Sequence, residues 1–265
     1  MIGIFDSGVG GMTVAKAIEE ALPDLRLIYF GDLAHSPYGS KSRETICRYS
    51  RYNTDFLIRN GAKLIVIACN SAASVATKDI IDNYPLPVFE VISPAVRLAA
   101  ATTSQHRIGV IGTRATISSA VYNREIEKIL PGSNVYSQAC PLLVPLVEEG
   151  WINKRETKMI LRRYLDPLKR QQVDTLVLGC THYPLLKHLI QPRIGMQVKV
   201  IDSSQAVAEE LRLFLSQRPE LKNTLQKDGE NLYYVSDITP SSQKTADFIF
   251  NRKINLLKCE EQLGV

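Results

Sequence analysis

The stretches Ala62-Lys-Leu-Ile-Val-Ile-Ala-Cys-Asn (residues 62–70) and Val173-Asp-Thr-Leu-Val-Leu-Gly-Cys-Thr (residues 173–181) share one pattern. Each is an apolar run, typical of a strand buried on both faces of a parallel sheet, which leads into a cysteine and a polar residue. An earlier pair repeats in the same way, because Ile2-Gly-Ile-Phe-Asp-Ser-Gly is echoed by Ile108-Gly-Val-Ile-Gly-Thr-Arg. The two echoes occur in the same order, so the sequence predicts two related domains.

Short apolar runs alternate with longer amphipathic segments along most of the chain. The predicted strands are Ile2–Phe5, Leu27–Phe30, Leu64–Ala68, Val88–Val91, Ile108–Ile111, Thr175–Leu178 and Val198–Ile201. The clearest predicted helices are Met12–Leu22, Ser42–Arg59, Ser118–Leu130, Lys154–Leu165 and Ser204–Ser216. This alternation predicts an α/β fold of two pseudo-symmetric, doubly wound parallel-sheet domains with the active site in the cleft between them. We expect residues 1–92 plus about 206–265 to form the first domain and residues 93–205 to form the second.

The composition is ordinary for a globular protein: 265 residues, 45% hydrophobic and 22% charged, with a formal net charge of +5. No apolar run approaches the roughly 18 residues that a membrane span needs. Met1 leads at once into a strand-like run, so we expect no signal peptide. The five cysteines are never close enough in sequence for a CxxC zinc pattern, and their odd number fits no disulfide framework. We therefore expect reduced thiols and a cytoplasmic location.

Two of the cysteines, Cys69 and Cys180, follow buried strands at equivalent positions of the two halves. Ligands of open parallel sheets bind beyond the carboxyl ends of the strands, so the two thiols are predicted to face each other across one cleft. A lone buried cysteine is more often a small core residue. Here, however, Asn70-Ser71 and Thr181-His182 follow the thiols, and a core disfavours such polar side chains.

Opposed thiols fit a disulfide switch, a thiol nucleophile with a base, or inversion at an acidic carbon. Inversion needs one base on each face of a planar carbanion. A thiol, with a reference pKa of about 8.5, can accept or return a proton near neutrality once its neighbours tune it. We therefore favour two-base proton transfer as the hypothesis.

A glycine-rich turn, Asp6-Ser7-Gly8-Val9-Gly10-Gly11, lies between the first strand and the first helix. A nucleotide site is the rival interpretation, but Thr13 stands where the last glycine of GxGxxG belongs, and the spacing is not that of a P-loop. A carboxylate is the smaller anion that such a turn can hold. Further donors at strand ends are Asn70, Ser71, Thr113, Thr116 and Thr181, and the turn at residues 36–39 could close over the site.

Asp6 and His182 are the candidate partners of the thiols. Asp6 could accept the substrate ammonium or assist Cys69, although a strand-end aspartate is as often a helix cap. His182 could stabilise the Cys180 thiolate or relay a proton. A metal site starting from Cys180 and His182 has only His35 and Cys69 as further ligands, so we expect no metal.

These motifs resemble the glutamate racemases, cofactor-independent enzymes that supply D-glutamate for peptidoglycan. The resemblance extends from residue 2 to about residue 205, and it rests on the segments at residues 5–11, 37–39, 68–72, 112–116 and 179–185. It implies an isomerase that interconverts L- and D-glutamate without a cofactor. Cys69 is similar to the base that deprotonates D-glutamate, and Cys180 to the base that deprotonates L-glutamate.

The resemblance also implies roles for other residues. Asp6, Glu148 and His182 match groups that assist the thiols, although either Glu148 or Glu149 could be a solvated helix charge. The residues that match substrate contacts are Asp6, Ser7, Tyr38, Gly39, Asn70, Ser71, Thr113, Thr116, Thr181 and His182. This chain departs from the family in carrying Ser71 for threonine, which keeps the hydroxyl, and His35 where arginine is frequent.

Two alternatives stay open at the sequence level. A related two-thiol enzyme could act on aspartate, and a non-catalytic binding protein could retain the fold. The basic segment Lys154–Arg170 has helical spacing and no recognition motif, so it predicts a solvated face rather than a nucleic-acid contact. Its apolar residues, Trp151 just before it included, could serve a dimer face. We therefore expect a small-molecule substrate, no nucleic acid or membrane partner, and a homodimer.

Overall fold

The fold is taken from a computed structural model that describes residues 1–225 and 228–259. The strands are β1 (Ile2–Asp6), β2 (Leu27–Gly31), β3 (Leu64–Ile67), β4 (Val88–Glu90), β5 (Arg107–Gly112), β6 (Asn134–Ala139), β7 (Thr175–Gly179), β8 (Lys199–Asp202), β9 (Leu232–Val235) and β10 (Leu256–Lys258). The α-helices are α1 (Met12–Ala21), α2 (Arg43–Arg59), α3 (Asn70–Asn83), α4 (Ile92–Thr102), α5 (Arg114–Ser118), α6 (Val121–Ile129), α7 (Leu143–Glu148), α8 (Arg155–Arg170), α9 (Lys187–Ile194), α10 (Ser203–Ser216), α11 (Pro219–Thr224) and α12 (Pro240–Phe250).

Among the described residues the strands form two sheets in which every pairing is parallel. The first has the order β10-β9-β2-β1-β3-β4, and the second has the order β6-β5-β7-β8. The order β2-β1-β3-β4 of the first sheet therefore recurs as β6-β5-β7-β8 in the second. This recurrence confirms the predicted fold of two pseudo-symmetric, doubly wound domains.

The strand order decides where a ligand can bind. In each sheet the chain runs from the central strand to a neighbour on one side and then crosses to the other side. The reversal leaves a crevice at the carboxyl ends of β1 and β3, and a second crevice at the carboxyl ends of β5 and β7. Cys69 follows β3 and Cys180 follows β7, so both thiols lie at these switch points.

The apolar runs that predicted strands have the expected burial. All residues of β1, β2, β3 and β7 are buried, because helices cover both faces of these central strands. The strands β6, β9 and β10 were not predicted. β6 (Asn134–Ala139) is polar and only half-buried at a sheet edge, so it lacks the continuous apolar pattern that marks the central strands.

The C-terminal part of the chain returns to the first sheet, because β9 pairs with β2 and β10 pairs with β9. We propose the division that the sequence predicts, residues 1–92 with about 206–265 and residues 93–205, and this return of the chain supports it. Within the described residues, none of the helices combines the length and the apolar character that crossing a bilayer requires.

Candidate active site

Cys69 lies at the start of α3, two residues after β3, and its side chain is buried. Its Sγ is 3.6 Å from the Ser7 hydroxyl, which belongs to the turn after β1. Burial, and next the neighbouring Asp6 carboxylate, raise the pKa of the Cys69 thiol to about 12, although hydrogen bonds from Ala72 and Ser7 favour the thiolate. Cys69 is therefore a protonated thiol in the free protein at neutral pH.

Asp6 ends β1 and is fully buried. Its Oδ2 accepts hydrogen bonds from the amides of Gly8 and Gly11, each at 3.0 Å, and its Oδ1 lies 3.4 Å from the Thr181 hydroxyl. Burial raises the pKa of Asp6, and the charge of His182 opposes this effect. Asp6 therefore both fastens its own turn and reaches the loop that carries the second thiol.

This use of the turn limits one expectation from the sequence. The amides of the glycine-rich turn were predicted to bind a carboxylate ligand, but those of Gly8 and Gly11 are already hydrogen-bonded to the Asp6 side chain. The reason is geometric, because the turn folds back over the strand end that precedes it. The amides of Gly8 and Gly11 are therefore not free to bind a ligand, and binding of a carboxylate elsewhere on the turn stays a prediction.

The second thiol belongs to a chain of three side chains. His182 Nδ1 is 3.9 Å from Cys180 Sγ, and His182 Nε2 is 3.1 Å from a carboxylate oxygen of Glu148. Burial alone would lower the pKa of His182, but its contacts with Cys180 and Glu148 outweigh burial and raise it to about 10. The ring is therefore an imidazolium at neutral pH, and its positive charge lies beside the Cys180 sulfur.

The structure also shows which of the two neighbouring glutamates, Glu148 or Glu149, lies next to His182. Glu148 ends α7 and contacts His182, whereas Glu149 is exposed. The Glu148 carbonyl in turn accepts a hydrogen bond from Ser241, at the start of α12.

The glycine-rich turn packs directly on the second thiol's loop. A Cβ at Gly10 would overlap with the ring of His182 and would lie 2.7 Å from the Thr181 hydroxyl. The same turn carries Ser7, whose hydroxyl lies 3.6 Å from Cys69 Sγ, so one turn contacts both the Cys69 thiol and the loop of Cys180. The meeting of Cys69 and Cys180 across one cleft stays a prediction, and these contacts support it.

We expect Gly10→Ala to lower activity at least tenfold, because the added methyl group displaces His182, and small displacements of reacting groups are costly. Gly8→Ala in the same turn is the matched control. There the nearest atom to an added Cβ is the Ser36 hydroxyl at 3.3 Å, a side chain that can move. Steady-state rates of the two variants, measured after thermal melts have shown that both are folded, test the role of the contact between Gly10 and His182. Equal activities would contradict it.

Hydroxyl groups of the two domains meet at the other side of the cleft. Ser71 Oγ is 2.9 Å from Thr113 Oγ1, which is 3.1 Å from Thr116 Oγ1. A Cβ at Gly39 would lie 2.7 Å from Thr113 Cβ, so the turn at residues 37–39 closes against the same threonine. Asn70, the first residue of α3, is also buried here.

The Tyr38 hydroxyl is already hydrogen-bonded to other side chains of the protein. It donates a 2.6 Å hydrogen bond to Asp32 and accepts one from Asn53 at 3.1 Å, so Tyr38 fastens its own turn. His35, the departure from the family, contacts the same Asp32 carboxylate at 2.7 Å and stacks on Tyr49. Sequence reasoning missed Asp32, although it directly follows β2 as Asp6 ends β1.

A second missed group is the hydroxyl of Thr13. It lies 2.9 Å from the Gly10 carbonyl, 3.0 Å from the Thr181 carbonyl and 3.2 Å from the Ser204 hydroxyl. In the sequence, Thr13 indicates only that the glycine-rich turn is not a dinucleotide-binding GxGxxG motif. In the structure it joins the glycine-rich turn to the Cys180 loop.

The cysteines and acids of the cleft do not form a metal centre. Within residues 1–225 and 228–259, no group of three or more histidine, cysteine, aspartate or glutamate side chains has an arrangement that could hold a metal ion. All five cysteines are free thiols.

Comparisons with known proteins identify the family of this chain. A model of the Asp/Glu/Hydantoin racemase family matches residues 4–211. The glutamate racemase of Syntrophus aciditrophicus is 45% identical over 96% of this chain and 93% of its own length. A crystal structure of a Bacillus anthracis glutamate racemase isoform has a TM-score of 0.91 at 33% identity, covering 98% of this chain and 97% of that one.

A Francisella tularensis glutamate racemase, crystallised in complex with D-glutamate, has a TM-score of 0.88 at 35% identity and covers 98% of this chain and 97% of that one. The matches therefore extend over both domains and the cleft between them. The chain belongs to the glutamate racemases, isomerases of the Asp/Glu/Hydantoin racemase family.

Proposed function

We propose that the protein interconverts L- and D-glutamate by proton transfer at the α-carbon between Cys69 and Cys180. The observation that carries the proposal is the placement of the two thiols at equivalent switch points of the two sheets, joined through the turn that holds Asp6 and contacts His182. The substrate is inferred from relatives named glutamate racemase.

The two thiols have different surroundings in the free protein. Cys69 holds its proton because its pKa is raised to about 12 by burial and by Asp6. Cys180 Sγ lies 3.9 Å from the imidazolium of His182. We therefore assign to Cys180 the removal of a proton from L-glutamate and to Cys69 the delivery of a proton to the opposite face.

In the proposed reaction the Cys180 thiolate takes the α-proton of L-glutamate, and the C–H electron pair is delocalised into the α-carboxylate. The Cys69 thiol then protonates the opposite face, which gives D-glutamate, a Cys180 thiol and a Cys69 thiolate. The reverse reaction starts from this second form. Asp6 and His182 would assist Cys69 and Cys180 respectively, and Glu148 would hold the His182 ring.

The substrate carboxylates would be bound by groups that line the cleft. The candidates from the sequence are Ser7, Asn70, Ser71, Thr113, Thr116 and Thr181, together with the turn at Tyr38 and Gly39. Of these, Asn70 and Ser71 lie in the first turn of α3, and Thr113 and Thr116 lie at the start of α5. Helix N-termini favour anions, so a dicarboxylate matches this side of the cleft.

Solvent exchange tests the proposed reaction. With purified protein in deuterium oxide, each glutamate enantiomer should exchange its α-hydrogen while circular dichroism follows its racemisation. Each aspartate enantiomer, run in parallel, should exchange far more slowly. A protein that binds glutamate without exchange would contradict the proposal, and faster exchange of aspartate would assign the other substrate.

The family resemblance also implies a role for this reaction in the cell. We propose a cytoplasmic enzyme, without a cofactor, that supplies D-glutamate for peptidoglycan synthesis, as the family resemblance implies. The free thiols of Cys69 and Cys180 support the cytoplasmic location, because this chemistry requires reduced cysteines. The predicted homodimer also stays a proposal.

A further inference from the structure

One hydrogen bond crosses the cleft between two side chains that are both buried. Tyr122, on α6 of the second domain, has its hydroxyl 2.7 Å from Oδ1 of Asn70, the residue that follows Cys69. Both residues are only 2% exposed. This hydrogen bond therefore connects α6 of the second domain to the residue that follows Cys69 in the first domain.

This hydrogen bond fixes which end of the Asn70 amide is available. Burial raises the pKa of Tyr122 well above its ordinary value, so the phenol keeps its proton and donates it. The acceptor must then be the amide oxygen of Asn70, and the NH₂ group points the other way. Within the described residues Asn70 Nδ2 is buried and has no hydrogen-bond partner.

A buried donor without a partner is rare, because it loses its hydrogen bonds to water on folding and regains none. Its retention next to Cys69 indicates that a ligand supplies the missing acceptor. Tyr122 itself lies close to the second thiol, since a Cβ at Gly179, the residue before Cys180, would be 3.2 Å from its ring. Asn70 thus lies beside Cys69 and is hydrogen-bonded to a tyrosine that packs against the strand end before Cys180.

We propose that Tyr122 is a positioning residue for substrate binding: its hydroxyl orients the Asn70 amide so that Nδ2 donates a hydrogen bond to a carboxylate oxygen of the bound amino acid. This inference rests on the proposed function, since it names how one group of that site recognises its substrate. Tyr122 does not touch the reacting atoms, so its removal affects binding through Asn70.

The test is Tyr122→Phe, which removes the hydroxyl and keeps the ring. Once the hydroxyl is lost, the amide can rotate, and KM for both enantiomers should rise about tenfold with kcat within about threefold of the original. Tyr233→Phe is the matched control, because this buried tyrosine bonds Glu19 and Arg252 rather than a group of the cleft. Its kinetic constants should not change.

A double-mutant cycle separates positioning from packing. In an Asn70→Ala background, Tyr122→Phe should raise KM no further, because the group that it positions is absent. Asn70→Asp retains an acceptor for Tyr122 but has no donor, so its KM should rise at least as much as that of Asn70→Ala. This variant keeps the tyrosine, so it tests the same donor even if Tyr122→Phe unfolds.

The outcomes separate this inference from the function on which it rests. An unsubstituted protein that does not racemise glutamate would refute the proposed function. If that protein is active, an unchanged KM in Tyr122→Phe, a loss in kcat alone, additive effects in the cycle, or an unaltered KM in Asn70→Asp would each overturn the role of Tyr122.

Discussion

Replacing either Cys69 or Cys180 by serine is expected to lower kcat for both glutamate enantiomers by about a thousandfold or more. A serine hydroxyl is a far weaker acid than a thiol, so at neutral pH it supplies almost no base and is a poor proton donor to a carbanion. Each turnover uses one of these residues as base and the other as acid. Either substitution should therefore slow both the conversion of L- to D-glutamate and the reverse reaction. The enantiomers have equal free energies, so kcat/KM must fall equally in both directions.

Deuterium at the α-carbon distinguishes the two variants. In Cys180→Ser, proton transfer at position 180 limits the rate in both directions. Deuterated L-glutamate, whose deuterium is removed there, should then show a large primary isotope effect, and deuterated D-glutamate a small one. Cys69→Ser should show the opposite pattern. Steady-state rates with both labelled enantiomers measure this asymmetry.

The control is Cys47→Ser, on α2, where the thiol lies outside the predicted site and donates a hydrogen bond to the Val75 carbonyl at 3.6 Å. A hydroxyl can keep this contact, so activity should be unchanged. If either cleft variant had the turnover of the unsubstituted protein, or if both gave the same isotope pattern, the assignment of one thiol to each face would be refuted.

The central strands and the positions of the two thiols could be predicted from the sequence. A strand that is buried on both faces has a continuous apolar sequence, which is easy to recognise. A strand such as Leu64–Ile67, covered by helices on both sides, must be apolar throughout. The internal repeat then places Cys69 and Cys180 at equivalent strand ends. Edge strands lack a continuous apolar sequence, and β6 (Asn134–Ala139) was missed for this reason.

The contacts within the cleft could be predicted only in part. Glu148 could be chosen by resemblance but not told from Glu149, since only the orientation of α7 decides which carboxylate reaches His182. Thr13 and Tyr122 make hydrogen bonds to distant parts of the chain, and neither residue belongs to a local sequence pattern. Such residues are found only when the two domains are placed against each other.

His182→Asn is expected to lower kcat/KM by about a hundredfold in both directions, with a larger isotope effect for deuterated L-glutamate than for deuterated D-glutamate. Asparagine removes the positive charge 3.9 Å from the Cys180 sulfur, so the thiolate loses its stabilising neighbour. In the unsubstituted protein the imidazolium is kept until the pH rises through about 10. Activity should therefore decline above that pH, and this decline should be absent in the variant.

His188→Asn provides the matched control, because His188 is exposed on α9 and contacts Asn153 at 3.1 Å. It makes the same chemical change outside the cleft and should leave rates and isotope effects unaltered. Glu148→Gln should have a smaller effect than His182→Asn, since Glu148 acts through the ring and its side chain is 32% exposed. Equal isotope effects for the two labelled enantiomers in His182→Asn would contradict its assignment to Cys180, because a group that assisted both thiols would slow both transfers alike.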